Sequence, residues 1–332
     1  MDSILILTIL VVIFALAFDF INGFHDTANA IATSVSTRAL SPRVAVMLAA
    51  IMNFVGALTF TGVAKTISKD IVDPFMLQNG SLVILAALLS AIAWNLITWY
   101  FGIPSSSSHA LIGSIAGAAV SAAGLGVLNY TGFIKILQAL LISPFIALAV
   151  GFLMMSLFKV IFRKNNLYRT NKGFRTFQIF TAALQSFTHG TNDAQKAMGI
   201  ITLALIAAKL QSTDDIQMWV RVSAALAMGI GTSIGGYKII KTVGGKIMKI
   251  RPINGAAADL SSALIIFGAT TIHLPVSTTH VISSAIMGVG SAQRVKGVKW
   301  GVARKIVLTW IITLPICGAL AAVIYQILNL FA

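Results

Sequence analysis

Two short polar stretches inside otherwise apolar sequence carry the side chains able to do chemistry. The first, Phe20-Ile21-Asn22-Gly23-Phe24-His25-Asp26-Thr27-Ala28-Asn29-Ala30-Ile31, follows the uncharged run Ile4 to Phe18, and the chain after it stays uncharged until Arg38. A carboxylate in such surroundings costs roughly 2.5–3.5 kcal/mol on insertion scales, so Asp26 needs partners or water. The stretch recurs as His189-Gly190-Thr191-Asn192-Asp193-Ala194-Gln195-Lys196-Ala197-Met198, where Gly190, Asp193 and Ala197 match Gly23, Asp26 and Ala30. Two intramembrane acids among amide side chains read as ligands of a coupling cation, with Asn22, Asn192 and Gln195 beside Asp26 and Asp193. The oxygens suit sodium, and an aspartate with a raised pKa could equally carry a proton. Lys196 occupies the position of Asn29 in the other copy. Its ammonium could replace a cation, pair with an aspartate or meet an anion directly, against the plainer reading of a snorkelling side chain.

A second pair of motifs supplies the anion-binding counterpart. Pro104-Ser105-Ser106-Ser107-Ser108-His109 is matched by Pro275-Val276-Ser277-Thr278-Thr279-His280. Proline suits the first position of a helix, so both breaks are expected to start helices whose amide groups want an acceptor. A hydroxyl-rich helix N-terminus is a ready oxyanion site, and two of them could approach one tetrahedral anion from opposite sides. Ser105, Ser106, Ser107, Ser108, Ser277, Thr278, Thr279, Asn29 and Lys196 are therefore the candidate substrate ligands. Simple capping is the competing reading. His109 and His280 could carry protons or brace the turns. Asp19, whose repeat mate is Ser186, and Asp259, whose mate is Leu88, are one-sided acids assigned to proton transfer or support of the site. His25 and His189 flank the acids at non-equivalent positions, which suggests no shared role.

These residues must be held by membrane-spanning helices. Of 332 residues, 57% are hydrophobic and 10% charged, with a mean hydropathy of +0.91, whereas a soluble chain carries about 25% charged residues. Apolar runs lie at 3–21 (extending to 37), 44–64, 81–102, 109–125, 133–162, 176–209, 218–237, 256–273, 280–291 and 306–331. A helix needs roughly 20 residues to cross the hydrocarbon core. The runs 109–125 and 280–291 are short, and each follows a Pro-Ser/Thr break, the signature of half-helices or re-entrant hairpins. The fold class is thus all-α: a polytopic membrane protein of about 10 to 12 segments.

The net charge of +15 is topological. Most Lys and Arg residues fall in 34–43, 163–175, 238–254 and 293–305, which are cytoplasmic under the positive-inside rule. The alternating loops hold Lys65 and Lys69 with Asp70 and Asp73, then Lys135, then Lys209 and Arg221 around Asp214 and Asp215. No interleaving of aromatic and basic residues supports a nucleic-acid groove. Five passes per half turn the second copy upside down, and both termini fall outside. The chain divides into a first repeat with its connecting helix (1–162), a basic cytoplasmic linker (163–175) and a second repeat (176–332). Asp2 replaces a basic n-region, so the first segment reads as a retained span. Cys317 is the sole cysteine, which precludes an intrachain disulfide or a cysteine metal site.

The four motifs, Gly23 to Ala30, His189 to Lys196, Pro104 to His109 and Pro275 to His280, resemble those of the inorganic phosphate transporter (Pit) family over nearly the whole chain. The resemblance implies an inverted-repeat fold in the inner (plasma) membrane and import of inorganic phosphate by alternating access, with the motifs meeting at a central site. It further implies symport with an inward proton or sodium gradient, no cofactor beyond that coupling ion, and substrate taken in some relatives as a metal phosphate or replaced by sulfate. A homo-oligomer is compatible with it. The chain departs from the family in having Gly-Phe-His-Asp where many members have Gly-x-Asn-Asp. It also has Asp259 where a glutamate is common, and it contains no glutamate. The rival readings are a sulfate or other oxyanion permease, a passive channel, and an intramembrane Ser/His/Asp enzyme. The last is disfavoured because duplicated, sequence-adjacent Ser-His pairs do not make one asymmetric nucleophile-base constellation.

Overall fold

The computed structural model describes residues 3–72 and 79–331, so Asp2 and Asp73 lie outside the described residues. Six helices, α1 (Ser3–Ser36), α2 (Pro42–Ala57), α3 (Gly62–Asp70), α4 (Gly80–Phe101), α5 (Ser107–Ala123) and α6 (Tyr130–Ile161), are followed by six that repeat them in order. These are α7 (Leu167–Ala207), α8 (Met218–Ile234), α9 (Tyr237–Lys241, extended by a π-helical turn at Thr242–Lys246), α10 (Pro252–Thr271), α11 (Thr278–Gln293) and α12 (Trp300–Asn329). Among the described residues there is no strand. The correspondence extends to detail: Pro144 lies inside α6 and Pro315 inside α12, while Gly102 (φ 66°) and His273 (φ 61°) turn the chain at the ends of α4 and α10.

Hydropathy explains most of these lengths. Helices α1, α4, α6, α10 and α12 are long and apolar enough to cross a membrane. The run 44–64 does not form the single span its composition suggests: α2 and α3 meet at a bend of 68°. Apolar residues continue through the bend, so hydropathy leaves no mark of it. The stretch 163–175, read as a linker, is irregular only near 163–166. Asn166 caps α7 by accepting from the Tyr168 and Arg169 amides (2.9 and 3.4 Å), so most of its basic residues lie on the first turns of a 41-residue helix.

Packing interleaves the repeats. Helix α5 lies along α12 and α11 along α6, while α2 packs on α7, α8 on α1, and α1 on α7. The motif glycines permit these crossings. A Cβ on Gly23 would meet the Met228 carbonyl at 2.5 Å, and one on Gly190 would overlap that of Asn53. Buried apolar side chains form two clusters, one around Phe18, Leu88, Ile112 and Ile200, the other around Ile31, Met155, Ile239 and Ile282. The lipid-facing sides of α6 and α12 stay bare, as at Phe145, Leu153 and Ile311. Loops assigned to one side by charge meet at one end. Lys65 pairs with Asp215 (2.7 Å) and Lys69 with Asp214 (2.8 Å) at the acid-bearing end, while the Lys299 amide bonds the Ile247 carbonyl (2.8 Å) at the basic end.

Candidate functional site

The hydroxyl motifs build two half-helices aimed at the acids. After α4 the chain runs without helix through Ile103 to Ser106, and the Ser106 hydroxyl caps α5 by accepting from the His109 amide (3.1 Å). In the second repeat Ser277 caps α11, accepting from the His280 amide (3.3 Å). Pro104 and Pro275 therefore lie two residues before each cap rather than in the first turn. The side-chain cap fixes the helix start, and the prolines hold the extended approach to it. Ser107 and Ser108, with Thr278 and Thr279, occupy the first turns, where helical amides have no intrahelical acceptor.

The unbroken helices α1 and α7 bring the acids to these first turns. Asp26 accepts from Ser107 (2.5 Å, Oδ2), Thr279 (2.9 Å, Oδ1) and His25 Nδ1 (2.8 Å, Oδ1). It is thus held by one hydroxyl from each repeat. Asp193 Oδ2 accepts from Lys196 Nζ (2.9 Å), Thr278 (3.1 Å) and Asn22 Nδ2 (3.4 Å), with His189 Nε2 at 3.4 Å. Lys196 Nζ also donates to Ser107 Oγ (3.2 Å), so Asp26, Ser107, Lys196 and Asp193 form one continuous chain. Asn29 Nδ2 donates to Thr279 (2.9 Å). All these side chains are buried, and the site is closed to both ends of the molecule.

Other expected residues serve the frame. Asn192 holds the second break, its Nδ2 donating to Thr270 (3.1 Å) and the Leu274 carbonyl (3.2 Å) while its Oδ1 accepts from the Val276 amide (3.3 Å). Gln195 Oε1 accepts from the Ala64 amide (3.0 Å) and its Nε2 donates to the Thr191 carbonyl, which anchors α3. Ser108 donates to the Val276 carbonyl (2.9 Å), and Ser105 bonds Thr98 (2.7 Å). His109 lies against His280 with its ring tilted by 37° (4.5 Å between centroids), and His280 stacks on Trp310 (3.9 Å). Asp259 lies elsewhere, taking hydrogen bonds from Thr33 (2.6 Å) and Thr181 (3.2 Å).

Several contributors carry no motif. Asn53 on α2 donates to Thr27 (2.8 Å) and Thr232 (3.0 Å) and faces His189 Nδ1 through its Oδ1 (3.1 Å). A lone amide in the apolar run 44–64 was its only sequence signal. Thr98 orients His25 at Nε2 (3.1 Å). His25 and His189, which sequence position gave no shared role, each contact the aspartate of their own motif, one from the preceding residue and one from a turn before.

Comparison with known proteins gives consistent results. A model described as the phosphate transporter family matches the chain twice, over residues 22–170 and 163–321. A protein of Bacillus subtilis, described as a probable low-affinity inorganic phosphate transporter, is 72% identical over 331 residues, covering 99% of each chain. One of Rhizobium meliloti with the same description is 43% identical over the full length of both. A solved structure, "The sodium-dependent phosphate transporter", superposes with a TM-score of 0.88 at 26% identity, covering 98% of this chain and 100% of that one.

Proposed function

The chain belongs to the phosphate transporter family, and we propose that it imports inorganic phosphate by cation symport through alternating access. The observation that carries this reading is the double capture of Asp26, by Ser107 from the half-helix of one repeat and Thr279 from that of the other. A tetrahedral dianion between two such N-termini would take hydrogen bonds from the first-turn amides and from Ser107, Thr278 and Thr279. Lys196 would offset its charge beside Asp26 and Asp193. Ser105, Ser106, Ser108 and Ser277 then hold the breaks in shape. With acids this close, phosphate enters only with compensating positive charge, and a sodium-dependent structural relative is in keeping with that requirement.

The repeats supply the moving parts. A site buried from both ends, with each half-helix packed on the last helix of the other repeat, suits rocking of one bundle against the other. The basic loops would face the cytoplasm and the termini the outside of the plasma membrane. As sequence units the repeats are 1–162 and 176–332. The test is uptake of labelled phosphate by liposomes containing the pure protein, with sodium and pH gradients varied independently. Accumulation under either gradient is expected, and none under both would end the proposal. Asp26→Asn should abolish accumulation, because an amide cannot hold two hydroxyls and an imidazole as acceptor-only carboxylate oxygens do.

A further inference from the structure

Asp26 has no oxygen to spare. Three donors from His25, Ser107 and Thr279 occupy its carboxylate. Across the pseudo-twofold the situation differs. Asp193 Oδ1 and Asn22 Oδ1 accept from nothing, and both oxygens of Asp19 are fully buried with no well-formed hydrogen bond, the Asn22 amide being the one donor near them. Asp19 and Asn22 are one turn apart on α1, so they share a face. Asn22 Nδ2 reaches Asp193 Oδ2, and Asp19 lies within charge range of both Asp193 and Lys196. Four bare acceptor oxygens from three adjacent residues leave a deficit of positive charge that protein donors do not fill.

We propose that Asp19, Asn22 and Asp193 form the coupling-cation site, on one side of the pseudo-twofold only, and that the Lys196 ammonium acts as a resident second cation. The inference rests on the symport reading and moves the cation away from Asp26. Acceptor-only oxygens suit a hard cation, and the same oxygens would share a proton. The mate of Asp19, Ser186, spends its hydroxyl on the Ala182 carbonyl (2.9 Å), so no equivalent site exists beside Asp26. The surrounding charges are few. On α7 they are Asp193, Lys196 and His189, and on α1 His25 and Asp26. Helix α4 carries only the exposed Tyr100 at its last turn, the first turns of α5 and α11 carry His109 and His280 within charge range of Lys196, and the one ionisable side chain on α8, Arg221, donates to the Leu58 carbonyl.

The experiment compares wild type, Asp19→Asn, Asp19→Glu and Ser186→Ala in liposomes, reading gradient-driven accumulation and phosphate–phosphate exchange in the same vesicles. Sodium chloride is titrated at fixed pH, and pH is varied without sodium. In Asp19→Asn accumulation should fall at least tenfold more than exchange, and the exchange that remains should no longer respond to the cation that drives wild type. Asp19→Glu should retain that response, and Ser186→Ala should match wild type. The titration arm in which wild type responds identifies sodium or proton as the occupant. Wild-type cation dependence in Asp19→Asn overturns the inference. So does equal loss of exchange and accumulation in both Asp19 variants, which would assign the residue to the fold. Failure of wild type to accumulate phosphate would instead overturn the transport reading.

Discussion

Beyond the acids, the same helices make two opposite walls. Toward the basic end the wall is polar: Thr33 and Thr181 donate to Asp259, Thr37 donates to Gln178 (2.7 Å), and Ser262 donates to Gln185 (2.8 Å). Toward the acid-bearing end the repeat mates of Asp259, Thr33 and Thr181 are Leu88, Ile200 and Phe14. Those of Gln178, Gln185 and Ser262 are Val11, Phe18 and Ala91, and all six belong to or pack on one apolar cluster. The two halves kept the acids and half-helices but exchanged polar for apolar at these six positions. At these positions parting helices would expose hydrogen-bonding groups on one side and hydrocarbon on the other. A charged anion passes more readily along the first, so on the import reading proposed above phosphate would leave by the basic end and the apolar cluster would seal the opposite one.

The harshest way to break the comparison is to copy the polar residue onto the apolar wall. Leu88→Asp puts an unpaired carboxylate among fully buried hydrocarbon, where a lone buried charge costs several kcal/mol. The variant should fold poorly, read as a loss of monodisperse protein and a melting temperature lower by ten degrees or more. Adding Ile200→Thr and Phe14→Thr should recover part of the loss, since these are the mates of the two hydroxyls that hold Asp259. A stable single variant would mean that the walls do not differ.

The reverse copy should do less to the fold and more to transport. Asp259→Leu leaves the Thr33 hydroxyl without its acceptor, a penalty of about 1–3 kcal/mol, and leaves Thr181 only the Gln178 carbonyl (3.3 Å). Uptake should fall tenfold or more while phosphate affinity in detergent stays within threefold, because the wall lies away from the Asp26 and Asp193 network. Equal losses of affinity and uptake would make Asp259 part of the binding site. Thr181→Val removes one donor only, and a two- to fivefold fall in uptake is expected.

What the sequence disclosed follows from how local each signal is. The acids and hydroxyl clusters were legible because each sits against apolar neighbours and occurs twice. The short helices α5 and α11 were legible from the Pro-Ser/Thr breaks. The bend between α2 and α3 was not, because it changes direction without changing hydropathy. Asn192 and Gln195 matched the pattern of ligands, yet their amides bond backbone at the break and at α3, a distinction that depends on partners 84 and 131 residues away in the chain. The polar wall was present in the sequence as scattered Thr, Gln and Ser residues, and only the packing of α1, α7 and α10 aligned them.

The smallest expected effect concerns the two ends rather than the walls. Among the described residues the acids outside the helix interiors, Asp70 at the end of α3 and Asp214 and Asp215 in the loop after α7, lie at the end next to the apolar wall, and the basic loops hold none. Lys65 and Lys69 therefore tie α3 to the loop between α7 and α8, while the other end has only like charges to part. The hydrogen bond from Lys69 holds the Asp214 carboxyl below the usual carboxylate range. A depressed folded value means that the tie stabilises fully above the unfolded value near 3.9 and is lost as pH falls through the folded one. Exposed pairs of this kind are worth about 0.2–1 kcal/mol and weaken with salt. Asp214→Asn should thus lower the melting temperature slightly at pH 7 and low ionic strength, by less in 1 M salt, and not at all at a pH well below the carboxylate range. A difference that persists there would mean that Asp214 supports the loop through its shape rather than its charge, and the sealed end would then owe nothing to ion pairs.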